Sequence, residues 1–247
     1  MIQLFLCPSP ELYGLYHRDG AAVLITDIFR ASTTMITAMA HGAEAILPVA
    51  TTEEAQKRGR ELGCLIAAER NVRRCDFADL GNDPKEYTPE RVGGRRIVLT
   101  TTNGTRSLRI AREAGAGYVL IGSMLNVSAT LDLLERRGIG EVVVVAAGWQ
   151  GHVSSEDCLY AGALGYELEL SGRGKAMGDA ARMMTDLWAA HCLTLEERID
   201  YIRSCEHYER LCSAGHEGAV PYCMQLDSHP IVVGLEPNGD EWLRILD

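Results

Sequence analysis

The sequence predicts an α/β protein: a mostly parallel sheet with helices on both faces, followed by a C-terminal helical segment. Three observations carry this. Short apolar runs alternate with helical stretches up to about residue 170, the pattern of successive βαβ units. The run at 141–147 is almost pure Val and Ala, as suits a central parallel strand covered on both faces. Polar clusters follow several of the apolar runs directly, and ligands of parallel α/β sheets bind outside the carboxyl ends of the strands.

The elements follow in order. Residues 1–6 read as a short apolar strand and 22–27 as a buried one. Ser32, Thr33 and Thr34 open a helix over 32–42 that Gly42 closes. Residues 45–49 form a strand, Thr52 caps a helix through Gly63, and 65–68 form a short strand. Residues 69–94 are polar, with Gly81-Asn82-Asp83-Pro84 and Gly93-Gly94. They predict a long loop, and long loops within compact domains are usually functional or mobile. A strand over 96–101, a helix over 104–114 and a strand over 118–121 come next. Asn126 can cap a helix through Arg137, and Ser154 starts another after the 141–147 strand. Beyond about residue 175 the pattern changes. Helices are expected over 177–190 and 194–213, the second because Thr194-x-x-Glu197 has the form of a capping box. Closing strands are expected over 231–233 and 242–245. The chain thus divides into an α/β core, 1–175, and a helical subdomain with closing strands, 176–247, packed on the core.

The bulk numbers narrow the function. The 247 residues are 47% hydrophobic, enough for a sizeable core. The formal charge is −10, from 34 acids against 24 bases, with no basic cluster. Nucleic acid and membrane surfaces are therefore not expected partners. Residues 1–6 carry no basic n-region, so no signal peptide is expected, and no apolar stretch reaches about 20 residues. None of the eight cysteines forms a C-x-x-C pair, so free thiols and a cytoplasmic location are expected. An apolar face on the tail helices permits a homodimer.

Five polar clusters fall at predicted strand ends: Asp27/Arg30/Ser32/Thr33, Glu69/Arg70/Asn71, Thr101 to Arg106, Gly122/Ser123/Asn126, and Gly148 to Asp157. The fold brings such edges together. Asp27 is the first candidate for a metal ligand or nucleophile, since a strand-end carboxylate can bind Mg²⁺; the alternative is a helix cap. Arg30 can grip an anion bidentately, with Ser32 and Thr33 as hydroxyl donors or caps. Thr102-Asn103-Gly104-Thr105 is a strand-turn-helix in which Gly104 allows close backbone approach, and Arg106 adds a cation. Glu69, Glu156 and Asp157 are the other strand-end acids. Asp27, Glu69 and Asp157 are the expected catalytic and Mg²⁺-binding set. Arg30, Ser32, Thr33, Thr102, Asn103, Gly104, Thr105, Arg106, Ser123 and Asn126 are the expected substrate contacts. His152, in a Gly-rich loop, can be an acid, a base or an exposed residue, while His207 and His216 have structural roles by default. No Walker A loop, G-x-G-x-x-G after a strand, G-x-S-x-G or zinc spacing occurs.

Several strings, in order, resemble the 2-phosphosulfolactate phosphatase family of coenzyme M biosynthesis. They are Asp27-Ile28-Phe29-Arg30-Ala31-Ser32-Thr33-Thr34, Ala68-Glu69-Arg70, the Asp79 to Thr88 stretch, Leu99 to Arg106, Gly122-Ser123-x-Leu125-Asn126, Gly148-x-x-Gly151 and Ser155-Glu156-Asp157. The resemblance spans roughly residues 20–225. It implies the family's own α/β fold and a Mg²⁺-dependent release of phosphate from an ester that also carries a carboxylate and a sulfonate. The sequence departs from the family pattern at Asp83, where Ser is usual, and at 71–74, where a Gly-rich stretch is common.

Two other readings compete. A haloacid-dehalogenase-type phosphatase shares the strand-end Asp and Mg²⁺ but normally has a second acid where Phe29 stands. A non-catalytic binder of an anionic metabolite would use the same arginines and helix ends without needing the acids. A phosphatase for a different small anionic phosphoester also fits the residues.

Overall fold

The computed structural model describes every residue except 71, 72, 102, 103, 114 and 238, and only the backbone of 104–106. The strands are β1 (Ile2–Cys7), β2 (Ala22–Thr26), β3 (Ala45–Pro48), β4 (Leu65–Arg70), β5 (Arg73–Arg74), β6 (Arg96–Thr100), β7 (Val119–Gly122), β8 (Glu141–Ala146), β9 (Gly174–Ala176), β10 (Val232–Leu235) and β11 (Arg244–Leu246). They build two sheets. One has seven strands in the order β11-β10-β7-β2-β8-β1-β9, and the other has four in the order β3-β6-β4-β5. Strands β7, β2, β8, β1 and β9 run parallel, as do β3, β6 and β4. Antiparallel pairs occur at the margins, where β10 joins β7, β11 joins β10 and β5 joins β4. The α/β reading therefore holds, with the parallel strands shared between two sheets.

The central strands explain their own sequences. On β2 and β8, Leu24, Val142, Val144 and Ala146 face one core, while Val23, Ile25, Val143 and Val145 face another. Successive side chains point to opposite faces, so a strand covered on both reads as unbroken apolar sequence. The first core is roofed by the helices Val127–Arg136, Ser155–Leu170 and Gly178–His191 and by tail residues such as Ile202, Leu211 and Val220. The second lies between the sheets. It holds Met35, Ile36 and Met39 of the helix Ala31–Ala40 together with Ile46, Ala67, Ile97 and Leu99 of the smaller sheet. The opposite face of that sheet packs Leu47, Ile66, Ala68 and Val98 around Ala55 of the helix Thr52–Leu62.

Several expectations shift in detail. Thr51, not Thr52, caps the Thr52–Leu62 helix, accepting the Glu54 N–H at 3.1 Å, because its extended backbone leaves its hydroxyl over the first turn. Ser123 and Asn126 form a capping box on a short 3₁₀ turn ahead of Val127–Arg136. The stretch 194–213 is two helices, Leu195–Ile202 and Glu206–Ser213, and Thr194 and Glu197 do form the capping box on the first. The 69–94 segment is tied down. Tyr87, fully buried, donates to the Gly81 carbonyl at 2.7 Å, and Thr34 donates to the Asn82 carbonyl at 3.2 Å. All eight cysteines are free thiols, and no described helix is long and apolar enough to cross a membrane.

Candidate functional site

The strand ends converge as parallel packing requires. β2 leads directly into Asp27, β7 into Ser123, and β8 into the 147–154 loop. β2 pairs with both β7 and β8, so these three exits are neighbours.

Asp157 joins two of them. Its Oδ1 accepts the Ile28 N–H at 2.8 Å and its Oδ2 accepts the Gly148 N–H at 2.9 Å. One carboxylate thereby locks the loops after β2 and β8. Gly148 has φ +62°, and a Cβ there would run into the His152 carbonyl oxygen, so the turn requires glycine.

The Asp27 loop is stitched from within. The Asp27 N–H donates to Ser32 Oγ at 2.7 Å, and that hydroxyl donates to the Ile25 carbonyl at 3.3 Å. The Thr33 hydroxyl donates to the Ile28 carbonyl at 3.0 Å and lies 3.2 Å from the Ser123 hydroxyl. Asn126 accepts the Ser123 N–H and donates to the carbonyls of Ile121 and Ile231. Ser32, Thr33, Ser123 and Asn126 are thus brought together, each wholly inaccessible to solvent. They hold the floor on which the charged groups stand. The Phe29–Arg30 peptide in this loop is cis.

The charged groups sit above that floor. Arg30 is 3% exposed, and its Nη1 has no hydrogen-bond partner among the described residues. Its nearest described acid is Asp83, with Oδ2 3.7 Å from Nη1. A buried guanidinium nitrogen without a partner is costly, and an anionic ligand would supply the missing acceptors. The Asp27 carboxylate accepts one long hydrogen bond among the described residues, from the Ala31 N–H at 3.4 Å. Burial pushes its carboxyl up to about 6; the nearby His207 and the Ala31 N–H oppose this, and Glu69 and Glu156 add to it. Asp157 is also raised, first by burial and then by Glu156 and Asp27, against the two backbone N–H groups it accepts. Asp27, Glu69, Glu156 and Asp157 therefore form one electrostatic cluster, each 6% exposed or less.

This donor set suits a hard cation. Among the described residues no three acid, His or Cys side chains converge tightly enough to hold a metal ion alone. Mg²⁺ rarely asks for that, since it is usually held by one or two carboxylates, waters and phosphate oxygens. Asp27 and Glu69 fit that pattern, while both oxygens of Asp157 are engaged by backbone amides.

Thr102 and Asn103 lie outside the described residues. Gly104, Thr105 and Arg106 begin the helix Gly104–Glu113, with their side chains outside the description. Backbone position alone puts that helix start just beyond β6.

The sequence profile described as "2-phosphosulpholactate phosphatase" matches residues 7–238. The chain belongs to that family. A probable 2-phosphosulfolactate phosphatase from Thermotoga petrophila is 37% identical over 204 residues, 83% of this chain and 84% of the relative. One from Synechococcus sp. strain JA-3-3Ab is 35% identical over 240 residues, 94% of this chain and 95% of its own. Another, from Caldanaerobacter subterraneus subsp. tengcongensis, is 34% identical over 217 residues, 87% of each chain.

In this family member the structure adds residues that the sequence left aside. His207 lies against the cluster, with Nδ1 2.5 Å from Glu156 Oε1. Arg210 lies one turn further along the same helix, its guanidinium 4.9 Å from the Trp149 ring centroid. The only sequence signal was the i, i+3 spacing of His207 and Arg210, which places both on one helix face. Nothing local linked that face to Glu156, 51 residues away.

Proposed function

We propose that this protein is a Mg²⁺-dependent phosphatase that hydrolyses 2-phosphosulfolactate to sulfolactate and inorganic phosphate, the reaction type of coenzyme M biosynthesis, in the cytoplasm. The relatives' names support the substrate. The observation that carries the chemistry is the pairing of a buried, unsatisfied Arg30 with a cluster of buried carboxylates at adjoining strand ends. A cation beside acids that resist ionisation suits a ligand that brings phosphate and a divalent metal together.

Asp27 and Glu69 would hold the metal, and when bound Mg²⁺ would offset the charge of the phosphate oxygens. Arg30 would grip the phosphate from within the protein, its guanidinium preorganised by burial. Asp157 fixes the Asp27 loop against the β8 exit, and Ser32, Thr33, Ser123 and Asn126 hold the backbone beneath. The helix start at Gly104 offers N–H groups to a second anionic group.

The test is phosphate release from 2-phosphosulfolactate, with Mg²⁺ and with EDTA, beside phospholactate and phosphoglycolate. Fast, Mg²⁺-dependent release that prefers the sulfonate supports the assignment. Activity confined to the sulfonate-free esters would keep the phosphatase and discard the substrate. Binding without release, at equal affinity with and without Mg²⁺, would make the protein an anion-binding protein.

A further inference from the structure

Within the phosphatase reading, we propose that His207 is the general acid that protonates the departing alcohol, oriented by Glu156. Four observations place it. Glu156 is fully buried, and its Oε1 lies 2.5 Å from His207 Nδ1. A carboxylate can only accept, so Nδ1 carries the hydrogen and Nε2 is left for chemistry. No described residue bonds that Nε2. The ring packs edge-on against Phe29 and tilted against Trp149, at centroid distances of 5.8 and 6.2 Å. Phe29 belongs to the same loop as Asp27 and Arg30, so the imidazole is held against the segment that carries the proposed metal ligand and phosphate grip. Finally, His207 and Glu156 line a cavity of about 350 Å³ with Trp149, His152, Ser154 and Arg210, large enough for a small ester.

Arg210 makes that cavity suited to an anion. Its Nε is buried without a hydrogen-bond partner among the described residues, and its Nη1 lies 3.8 Å from the exposed Glu206 carboxylate. An acidic substituent of the alcohol docked there would bring the bridging oxygen beside His207, the residue that joins this cavity to the Phe29 loop carrying Asp27 and Arg30.

The step balances as follows. Net hydrolysis joins the oxygen of water to phosphorus and breaks the ester P–O bond, whose electron pair leaves with the alcohol oxygen. That oxygen takes the proton from His207 Nε2, giving neutral alcohol. The proton released by the attacking water restores the imidazolium. Glu156 keeps Nδ1 protonated throughout and is a positioning residue. Alkoxides of ordinary alcohols are poor leaving groups, so this proton carries much of the rate.

The experiment compares phospholactate with its 3,3,3-trifluoro analogue, close to it in shape but with a more acidic alcohol, and with 2-phosphosulfolactate, using wild type, H207N and E156Q. General acid catalysis is worth about 10²–10⁴-fold, so H207N is expected to lose that much kcat on phospholactate and 2-phosphosulfolactate but only about tenfold or less on the trifluoro ester. E156Q is expected to show the same ordering with smaller losses, and it carries the test should H207N fail to fold by circular dichroism. Equal losses on all three esters in both folded variants would overturn the proton-transfer role and leave His207 a structural partner of Glu156. Wild type inert toward all three would overturn the phosphatase reading, and this proposal with it.

Discussion

Replacing Asp27 with Asn is expected to abolish turnover and to make the protein more stable at neutral pH. The carboxyl is 6% exposed, and burial, the largest cause, raises its pKa from 3.8 to about 6. A carboxyl raised in the folded state binds its proton more tightly folded than unfolded. Its ionisation therefore opposes folding, and stability falls as pH rises from about 4 to about 6. At about 1.4 kcal/mol per pH unit, the rise amounts to a penalty of about 3 kcal/mol that is complete above pH 6 and absent below pH 4. Asn keeps the shape and cannot ionise. Urea unfolding in EDTA should give D27N an advantage of about 3 kcal/mol near pH 7.5 that shrinks to nothing near pH 4, with an unchanged m-value. Taking the difference between the two proteins cancels the groups that titrate alike in both. A D27N protein less stable than wild type near pH 7.5, or a difference that does not vary with pH, would refute the electrostatic argument. Full turnover in folded D27N would remove Asp27 from the chemistry.

Three further outcomes are expected. R30K keeps the charge but loses the planar fork, and kcat/KM should fall by about 10–100-fold, read as initial rates of phosphate release, with the melting temperature little changed. G148A forces a side chain into a left-handed turn and toward the His152 carbonyl, so it should lower unfolding free energy by about 1–3 kcal/mol in urea and depress activity together. T194A removes the capping-box hydroxyl that accepts the Glu197 N–H at 3.2 Å; it should cost about 1 kcal/mol by thermal melting and leave kcat untouched, since among the described residues that exposed hydroxyl bonds only within its own helix start.

The legible parts of the fold are those where local chemistry decides the outcome. β8 declared itself by its Val run and the helix start after Thr194 by its capping box, while the cap of the Thr52–Leu62 helix was read one residue late, at Thr52 instead of Thr51. What stayed hidden depends on partners. β9 is Gly174-Lys175-Ala176, a strand only because it pairs with β1. The division into two sheets was invisible because β3, β4 and β6 have the same apolar character as the others, and pairing order leaves no mark on composition. The break after Ile202 falls at Ser204 and Cys205, with no Gly or Pro to announce it. The site divides the same way. Asp27, Glu69 and Asp157 could be named as candidates because each closely follows or ends an apolar run or opens a helix, and the structure gathers them into one buried cluster. His207 and Arg210 were not, because their helix reaches the site only through tertiary packing.

The last strands have a consequence for how the protein is made. β10 covers the edge of β7, and Leu243 exchanges backbone hydrogen bonds with Ile46 of β3 at 2.8 and 3.0 Å. Until residues 232–246 have been synthesised, both sheets keep an open margin that can template pairing with another nascent chain. The two halves of the molecule are sealed by one late segment. Loss of residues 232–246 would leave not a slightly shortened protein but one with adhesive edges, and quality control would meet it as an aggregation hazard.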